Sequence, residues 1–154
     1  GNGSCALEME VVAGGDLSDH LEAARHRPER RLPSATVLRL SRQLLQALVY
    51  LHGEMKWLHG DIKPQNMLLQ CDALPADGSA IDYSDAEIKL ADFGLALVVE
   101  QPDSSTSSFI SQSDTFTGKY NVAGTKQYLS PEAVTALFGS HEYERKYSDD
   151  VWSA

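Results

Sequence analysis

Cysteine is scarce: Cys5 and Cys71 are the two cysteines among 154 residues, they lie 66 positions apart, and neither belongs to a C-x-x-C pair. Such spacing reads as two lone thiols in a reducing compartment rather than a framework of bridges. Long apolar runs are missing too. Nothing approaches the ~18 consecutive apolar residues of a membrane span, so no membrane partner is expected. No signal peptide is expected ahead of the fold, and the location read from this is intracellular, cytoplasmic or nuclear. The chain begins at Gly1 rather than at methionine, and both ends read as cuts made inside structure. Basic charge is in deficit, 13 Lys and Arg against 22 Asp and Glu, a net charge of −9. That argues against nucleic acid or an anionic membrane as a partner and suits a substrate with basic residues near its acceptor. With 42% apolar and 23% charged residues, what remains is the composition of a soluble globular domain.

Chemistry concentrates in His59-Gly60-Asp61-Ile62-Lys63-Pro64-Gln65-Asn66. A carboxylate, an ammonium and a carboxamide fall within six residues, with Pro64 stiffening the backbone between them. Such a loop can bring a base (Asp61), a phosphate-neutralising cation (Lys63) and a metal ligand (Asn66) to one point. Downstream, Ile88-Lys89-Leu90 reads as a strand running into Ala91-Asp92-Phe93-Gly94-Leu95-Ala96. Then come Gly124-Thr125-Lys126-Gln127-Tyr128-Leu129-Ser130-Pro131-Glu132 and Ser148-Asp149-Asp150-Val151-Trp152-Ser153.

In order and spacing these motifs resemble a eukaryotic-type protein kinase domain. The first matches the catalytic loop H-R-D-L-x-x-x-N, with Ile62 for Leu and Gly60 for Arg; the second matches D-F-G. The third is similar to the G-T-x-x-Y-x-x-P-E end of an activation segment, with Ser130 in place of a small alanine. The fourth looks like the start of the helix buried beneath the active site. The resemblance covers residues 5–154, with the hinge at 9–15, the catalytic loop at 59–66 and the activation segment at 92–132; residues 1–4 would be the cut end of a strand region. It implies a mostly helical fold with short β-hairpins, the C-terminal lobe portion of the protein-kinase-like α+β fold without its N-terminal lobe.

The resemblance also implies roles. Asp61 would orient the substrate hydroxyl or accept its proton, Lys63 would neutralise the transferring phosphate, and Asn66 and Asp92 would hold two Mg2+ ions. Met9 would be the gatekeeper beside the adenine of ATP, with backbone groups of Glu10 and Val12 on its edge. Leu17 and Leu68 would form the floor below it. Asp16 would cap a helix or meet the ribose, and Gln65 would border the nucleotide. Phe93 would pack under His59, and Thr125 would hydrogen-bond Asp61 and Lys63. Glu132 would pair with an arginine beyond Ala154. The function implied is serine/threonine protein phosphorylation, since Lys63 stands where tyrosine kinases generally carry alanine or arginine.

Local signals supply the elements. Residues 7–9 read as the end of a strand, and Gly14-Gly15 as a sharp turn. A helix is expected from Asp16 to Arg27, stopped by Pro28. The basic knot Arg25 to Arg31 reads as a solvated loop. A second helix is expected from Ala35 to Leu51, capped by Ser34, with Val37, Leu40, Leu44, Leu45, Leu48, Val49 and Leu51 on one buried face. His52 follows as a hydrogen-bonded core histidine. Strands are expected at Trp57-Leu58 and at 67–69, and a short helix from Pro131 to Phe138. Residues 72–87 read as an acidic surface insertion without chemistry, 103–117 as a Ser/Thr-rich flexible loop, and 144–147 as an exposed linker.

Two departures shape the expectation. Gly60 removes the arginine that usually receives a phosphorylated activation-loop residue, so activity is expected not to need that phosphate. No glycine-rich phosphate loop and no strand lysine precede Met9, so the fragment by itself is expected to be marginally stable and close to inactive. A pseudokinase or scaffold is the first alternative, opposed by the intact Asp61, Lys63, Asn66 and Asp92. A small-molecule phosphotransferase, which can carry His-Gly-Asp, is opposed by Lys63 and by the 124–132 segment. A truncated fragment that only binds partners is the third.

Overall fold

The computed structural model describes residues 6, 8–75, 81–99, 122–139 and 143–154. Leu7, Cys5, the middle of the insertion at 76–80 and the Ser/Thr-rich stretch at 103–117 lie outside the described residues. Along the described chain run α1 (Leu17–Arg25), α2 (Ser34–Gly53), β1 (Trp57–Leu58), β2 (Met67–Gln70), β3 (Glu87–Leu90), β4 (Leu97–Val98), α3 (Pro131–Phe138) and α4 (Tyr147–Ser153). One-turn 3-10 helices sit at Pro64–Asn66 and Lys126–Tyr128. This is the mostly helical α+β arrangement expected.

The strands form two antiparallel pairs. β2 pairs with β3, Met67 opposite Leu90, and β1 pairs with β4, Leu58 opposite Leu97. The pairs are nested: residues 59–66 join β1 to β2, and residues 91–96 join β3 to β4. Nesting delivers both connections to the same end of the strands, which is where the chemistry lies. β4 was not foreseen; two residues carry too little alternation to read as a strand until a partner supplies the hydrogen bonds. The strand expected at 7–9 does not form in residues 8 and 9, where no described strand pairs with it.

Asp16 caps α1 as expected, its Oδ1 accepting the Asp19 N–H at 3.1 Å. The helix stops at Arg25, two residues early, because the N–H groups of His26 and Arg27 turn back to Ala23 and Ala24. α2 begins one residue before the expected start. Ser34 is its first helical residue, Pro33 holds the cap position, and no side chain caps the end. Its buried line is Thr36, Leu40, Leu44, Leu48 and Leu51, mostly four apart. Val37, Leu45 and Val49 flank that line and are exposed, which corrects the broader face expected. A spacing of four tracks one narrow stripe on a helix, and neighbours at plus one lie about 100° round the axis.

Leu40 joins Ala24, Leu32 and Leu69, while Leu44 and Leu48 meet Ile62 and Met67. α2 therefore backs both the insertion side and the loop carrying Asp61. The insertion is not wholly superficial. Tyr83 and Ala86 are buried in the first of these clusters, so a stretch rich in turn residues still sends an aromatic side chain into the core.

Gly14 ties this region together. Its N–H donates to the Leu69 carbonyl (3.0 Å) while Leu69 N–H donates to the Gly15 carbonyl (2.8 Å). A Cβ on Gly14 would run into the Leu69 carbonyl oxygen, so only glycine allows this approach. Fully buried His20 lies between the Gly14 carbonyl (Nε2, 2.7 Å) and the Tyr83 hydroxyl (Nδ1, 3.0 Å). The carbonyl can only accept, so Nε2 carries the proton and, in the neutral ring, Nδ1 accepts from Tyr83. Replacing Tyr83 by Phe would leave a buried nitrogen without its donor. Urea unfolding of Tyr83→Phe is expected to show a loss of about 1–3 kcal/mol; unchanged stability would make the contact incidental.

Candidate active site

The connection from β1 to β2 is held from below by one carboxylate. Asp150, in the first turns of α4, is 1% exposed. Its Oδ2 accepts the His59 N–H (2.8 Å) and His52 Nε2 (2.8 Å), and its Oδ1 accepts the Gly60 N–H (2.8 Å). Three donors offset the cost of burying the charge and fix the backbone just before Asp61. His52, expected as a hydrogen-bonded core histidine, has that role, and Tyr147 stacks on it at 4.5 Å between centroids.

Buried His59 points the other way. Its Nε2 donates to the Ala91 carbonyl (3.0 Å), leaving Nδ1 to accept the Asp61 N–H (3.3 Å). Burial pushes its pKa below the ordinary histidine value, outweighing the Ala91 carbonyl and the nearby carboxylates, so the ring is neutral. Phe93 lies beneath it, centroids 4.8 Å apart, as expected, and meets Trp57 edge-on at 6.4 Å.

Lys63, Asn66 and Thr125 all meet at Asp61. Oδ1 accepts the N–H (2.9 Å) and hydroxyl (2.8 Å) of Thr125, while Oδ2 accepts Lys63 Nζ (2.6 Å) and Asn66 Nδ2 (3.2 Å). Lys63 Nζ also donates to Thr125 Oγ1 (2.9 Å), and Asn66 Nδ2 to the Asp61 carbonyl (2.9 Å). Burial opposes ionisation of Asp61, but the Lys63 and Thr125 hydrogen bonds together win and hold its pKa below the ordinary carboxylate value. A carboxylate so well supplied with donors is a weak base. It is better fitted to orient a hydroxyl than to remove its proton early.

Asn66 is buried, and with Nδ2 committed to Asp61 its amide oxygen remains, with lone pairs for a metal ion. Its backbone carbonyl accepts the N–H of Ala91 (2.9 Å), the residue just before Asp92. Asp92 sits at a φ of 61°, a left-handed conformation uncommon for a residue with a Cβ, and its exposed carboxylate accepts the Gly94 N–H at 3.2 Å. Among the described residues no group of three or more His, Cys, Asp or Glu side chains could hold a metal ion. A carboxylate and an amide oxygen suit Mg2+, which takes one or two protein oxygens and completes its octahedron with phosphates and water.

An isolated bridge joins Asp16 to Leu68, and Leu17, the next residue, packs against the buried clusters that contain Leu69 and Met67. Met9 is 64% exposed, Val12 is half-buried and Gln65 is exposed. The Glu10 carboxylate is engaged by Lys89 Nζ at 2.9 Å, leaving only its backbone to face a ligand.

A family model described as the protein kinase domain matches residues 2–154. The chain belongs to the protein kinase domain family. A mitogen-activated protein kinase kinase of Nicotiana tabacum, SIPKK, is 32% identical over 152 residues, 99% of this chain and 32% of that protein. The human serine/threonine-protein kinase DCLK2 is 36% identical over 150 residues, 96% of this chain and 14% of that protein. The dual specificity mitogen-activated protein kinase kinase mek-2 of Caenorhabditis elegans is 36% identical over 152 residues, 99% of this chain and 29% of that protein. The chain spans about a third or less of the length of these relatives.

Three residues of this kinase domain do more than their sequence suggested. In sequence Asp150 reads only as part of a helix start. Ser130, which in sequence stands in place of a small alanine, caps α3 by accepting the Ala133 N–H (3.2 Å) and donates to Asp149 (2.6 Å). Arg145, expected in an exposed linker, is half-buried and donates from Nη1 to the Leu95 carbonyl (2.9 Å). The Ser130 cap is local, a serine ahead of a proline at a helix start; the other contacts are not, since Gly60, Asp149 and Leu95 lie 90, 19 and 50 positions from their partners.

Because the folded pKa of Asp61 is depressed, its pairing stabilises the fold above the ordinary carboxylate range and is lost as pH falls through the folded pKa. Thr125→Val, which removes one donor, is expected to cost about 1–2 kcal/mol near about pH 7. Denaturant titrations at descending pH should show this gap closing once Asp61 is protonated. A gap that persists in acid would mean that Thr125 acts by packing.

Proposed function

We propose that the protein carrying this chain is a serine/threonine protein kinase that transfers the γ-phosphate of ATP to a hydroxyl of a protein substrate. The observation that carries this reading is the cluster of Asp61, Lys63, Asn66 and Thr125, where the catalytic loop meets the 124–132 segment. Bound Mg2+ and ATP supply the transferable phosphoryl group and much of its charge neutralisation. The residues of this chain supply position. Asp61, oriented by Thr125 and Lys63, accepts a hydrogen bond from the substrate hydroxyl and aligns its oxygen. The Lys63 ammonium lies 2.6 Å from Asp61, close enough to share its charge with a phosphoryl group arriving there. Asn66 and Asp92 would hold the metal, and Leu17 with Leu68 would support the base.

Lys63 and its bond to Thr125 support a serine or threonine acceptor, as does the printed name of DCLK2. The dual specificity in the name of mek-2 keeps tyrosine open as a second acceptor. An intracellular setting, cytoplasmic or nuclear, is part of the same proposal; Cys71 is a free thiol in the described structure. We also propose that the 154 residues alone bind nucleotide weakly, since Met9 and Val11 on the hinge edge are 64% and 91% exposed and enclose little.

In the full-length protein, Asp61→Asn is expected to lower kcat by roughly 10²–10⁴-fold with little change in ATP binding. Phosphoamino-acid analysis of the labelled substrate should give phosphoserine and phosphothreonine. Phosphotyrosine beside them would select dual specificity, and labelling of aminoglycosides or choline instead of protein would sink the reading. For the isolated chain, calorimetric titration with magnesium–ATP should show binding weaker than micromolar; a tight complex would overturn that second proposal.

A further inference from the structure

Position 60 is a hollow with an occupant. Gly60 sits at a φ of 78°, its N–H held by Asp150, and a Cβ built there would collide with Nη2 of Arg145 and come within 3.0 Å of the Leu95 carbonyl oxygen. Arg145 arrives from a different element, the segment just before α4. Its Nη1 donates to that same Leu95 carbonyl, three residues after Asp92. One guanidinium therefore touches the catalytic loop at Gly60, the start of the activation segment at Leu95 and, through its own backbone, α4. Its Nη2 is buried with no hydrogen-bond partner among the described residues. The space next to it, about 20 Å³ lined by Gly60, Ser130, Tyr143, Asp149 and Ser153 among others, has room for a single water molecule.

We propose that Arg145 is a positioning residue for the catalytic loop: its guanidinium occupies the space of the absent side chain at position 60 and locks the loop bearing Asp61 to Leu95 and α4. The lock rests on the kinase reading above for its catalytic meaning. Glycine at 60 and arginine at 145 are then one device. The small residue creates the hollow and tolerates the left-handed backbone, and the long one fills it. Because the cation is delivered by the chain and enclosed in protein, loop geometry is set without a phosphate added to the activation segment.

The test is a double-mutant cycle in the full-length protein with Arg145→Ala, Gly60→Ala and both together, using myelin basic protein as substrate. Alanine at 60 expels the guanidinium, so the two changes should not multiply. Arg145→Ala in the natural background is expected to lower kcat by roughly tenfold to a hundredfold with KM for ATP unchanged. On the Gly60→Ala background it should add little, and Arg145→Lys should recover part of the loss. Phosphatase treatment of the natural protein should leave kcat as it was. The inference is overturned by natural kcat in Arg145→Ala, by effects that multiply, or by loss of activity on dephosphorylation. Should the natural protein phosphorylate nothing, the kinase reading falls by itself. Melting temperatures of the same four proteins then decide the lock: non-additive shifts uphold it, and additive shifts reject it.

Discussion

The buried carboxylate of Asp150 is the constraint from which the rest of the site follows. A charge removed from water must be met by donors, and here they are two consecutive backbone N–H groups and one imidazole. Those backbone groups belong to His59 and Gly60, so satisfying the charge also fixes the orientation of the next residue, Asp61. The same carboxylate draws α4 against the end of α2 through His52. Stability and site geometry are thus set by one set of hydrogen bonds, and neither can be relaxed without the other.

From this base the site is assembled by pairing distant pieces in layers. The nested strands bring residues 59–66 and 91–96 to a common end, where the backbone of Ala91 is held on both sides, its N–H by the Asn66 carbonyl and its carbonyl by His59. Thr125 then closes over Asp61 from a third segment. Each contact is an ordinary hydrogen bond of modest net worth. Their effect is positional: four donors from three side chains and one peptide leave the Asp61 carboxylate a single orientation. Electrostatic preorganisation of this kind needs rigid donors more than strong ones.

The pairing of Gly60 with Arg145 shows a different economy. Loss of a side chain at one position is answered by a side chain from 85 residues away in sequence, in contact with the same backbone. A glycine in a functional loop is often read as freedom to move. Here it is a vacancy that is filled, and the loop is tied down on both faces, by Asp150 below and by the guanidinium beside it.

Sequence alone determined which chemical groups are present and in what order: Asp61, Lys63 and Asn66 at short fixed spacing, Asp92 before Phe93 and Gly94, and Thr125 before the α3 start. Those spacings are short enough for covalent geometry to dictate proximity, and α1, α2, β1 to β3 and α3 were legible because their periodicity and caps are local. Tertiary structure decided what no window contains. The buried stripe of α2 narrowed because only one line of side chains meets the strands behind it. Tyr83 went to the core because His20, 63 positions earlier, offers its hydroxyl an acceptor. Arg145 left solvent because Gly60 left a hollow of the right size. In each case the deciding energy is burial or pairing between residues that meet only after the chain has folded, so no stretch of sequence read by itself could disclose it.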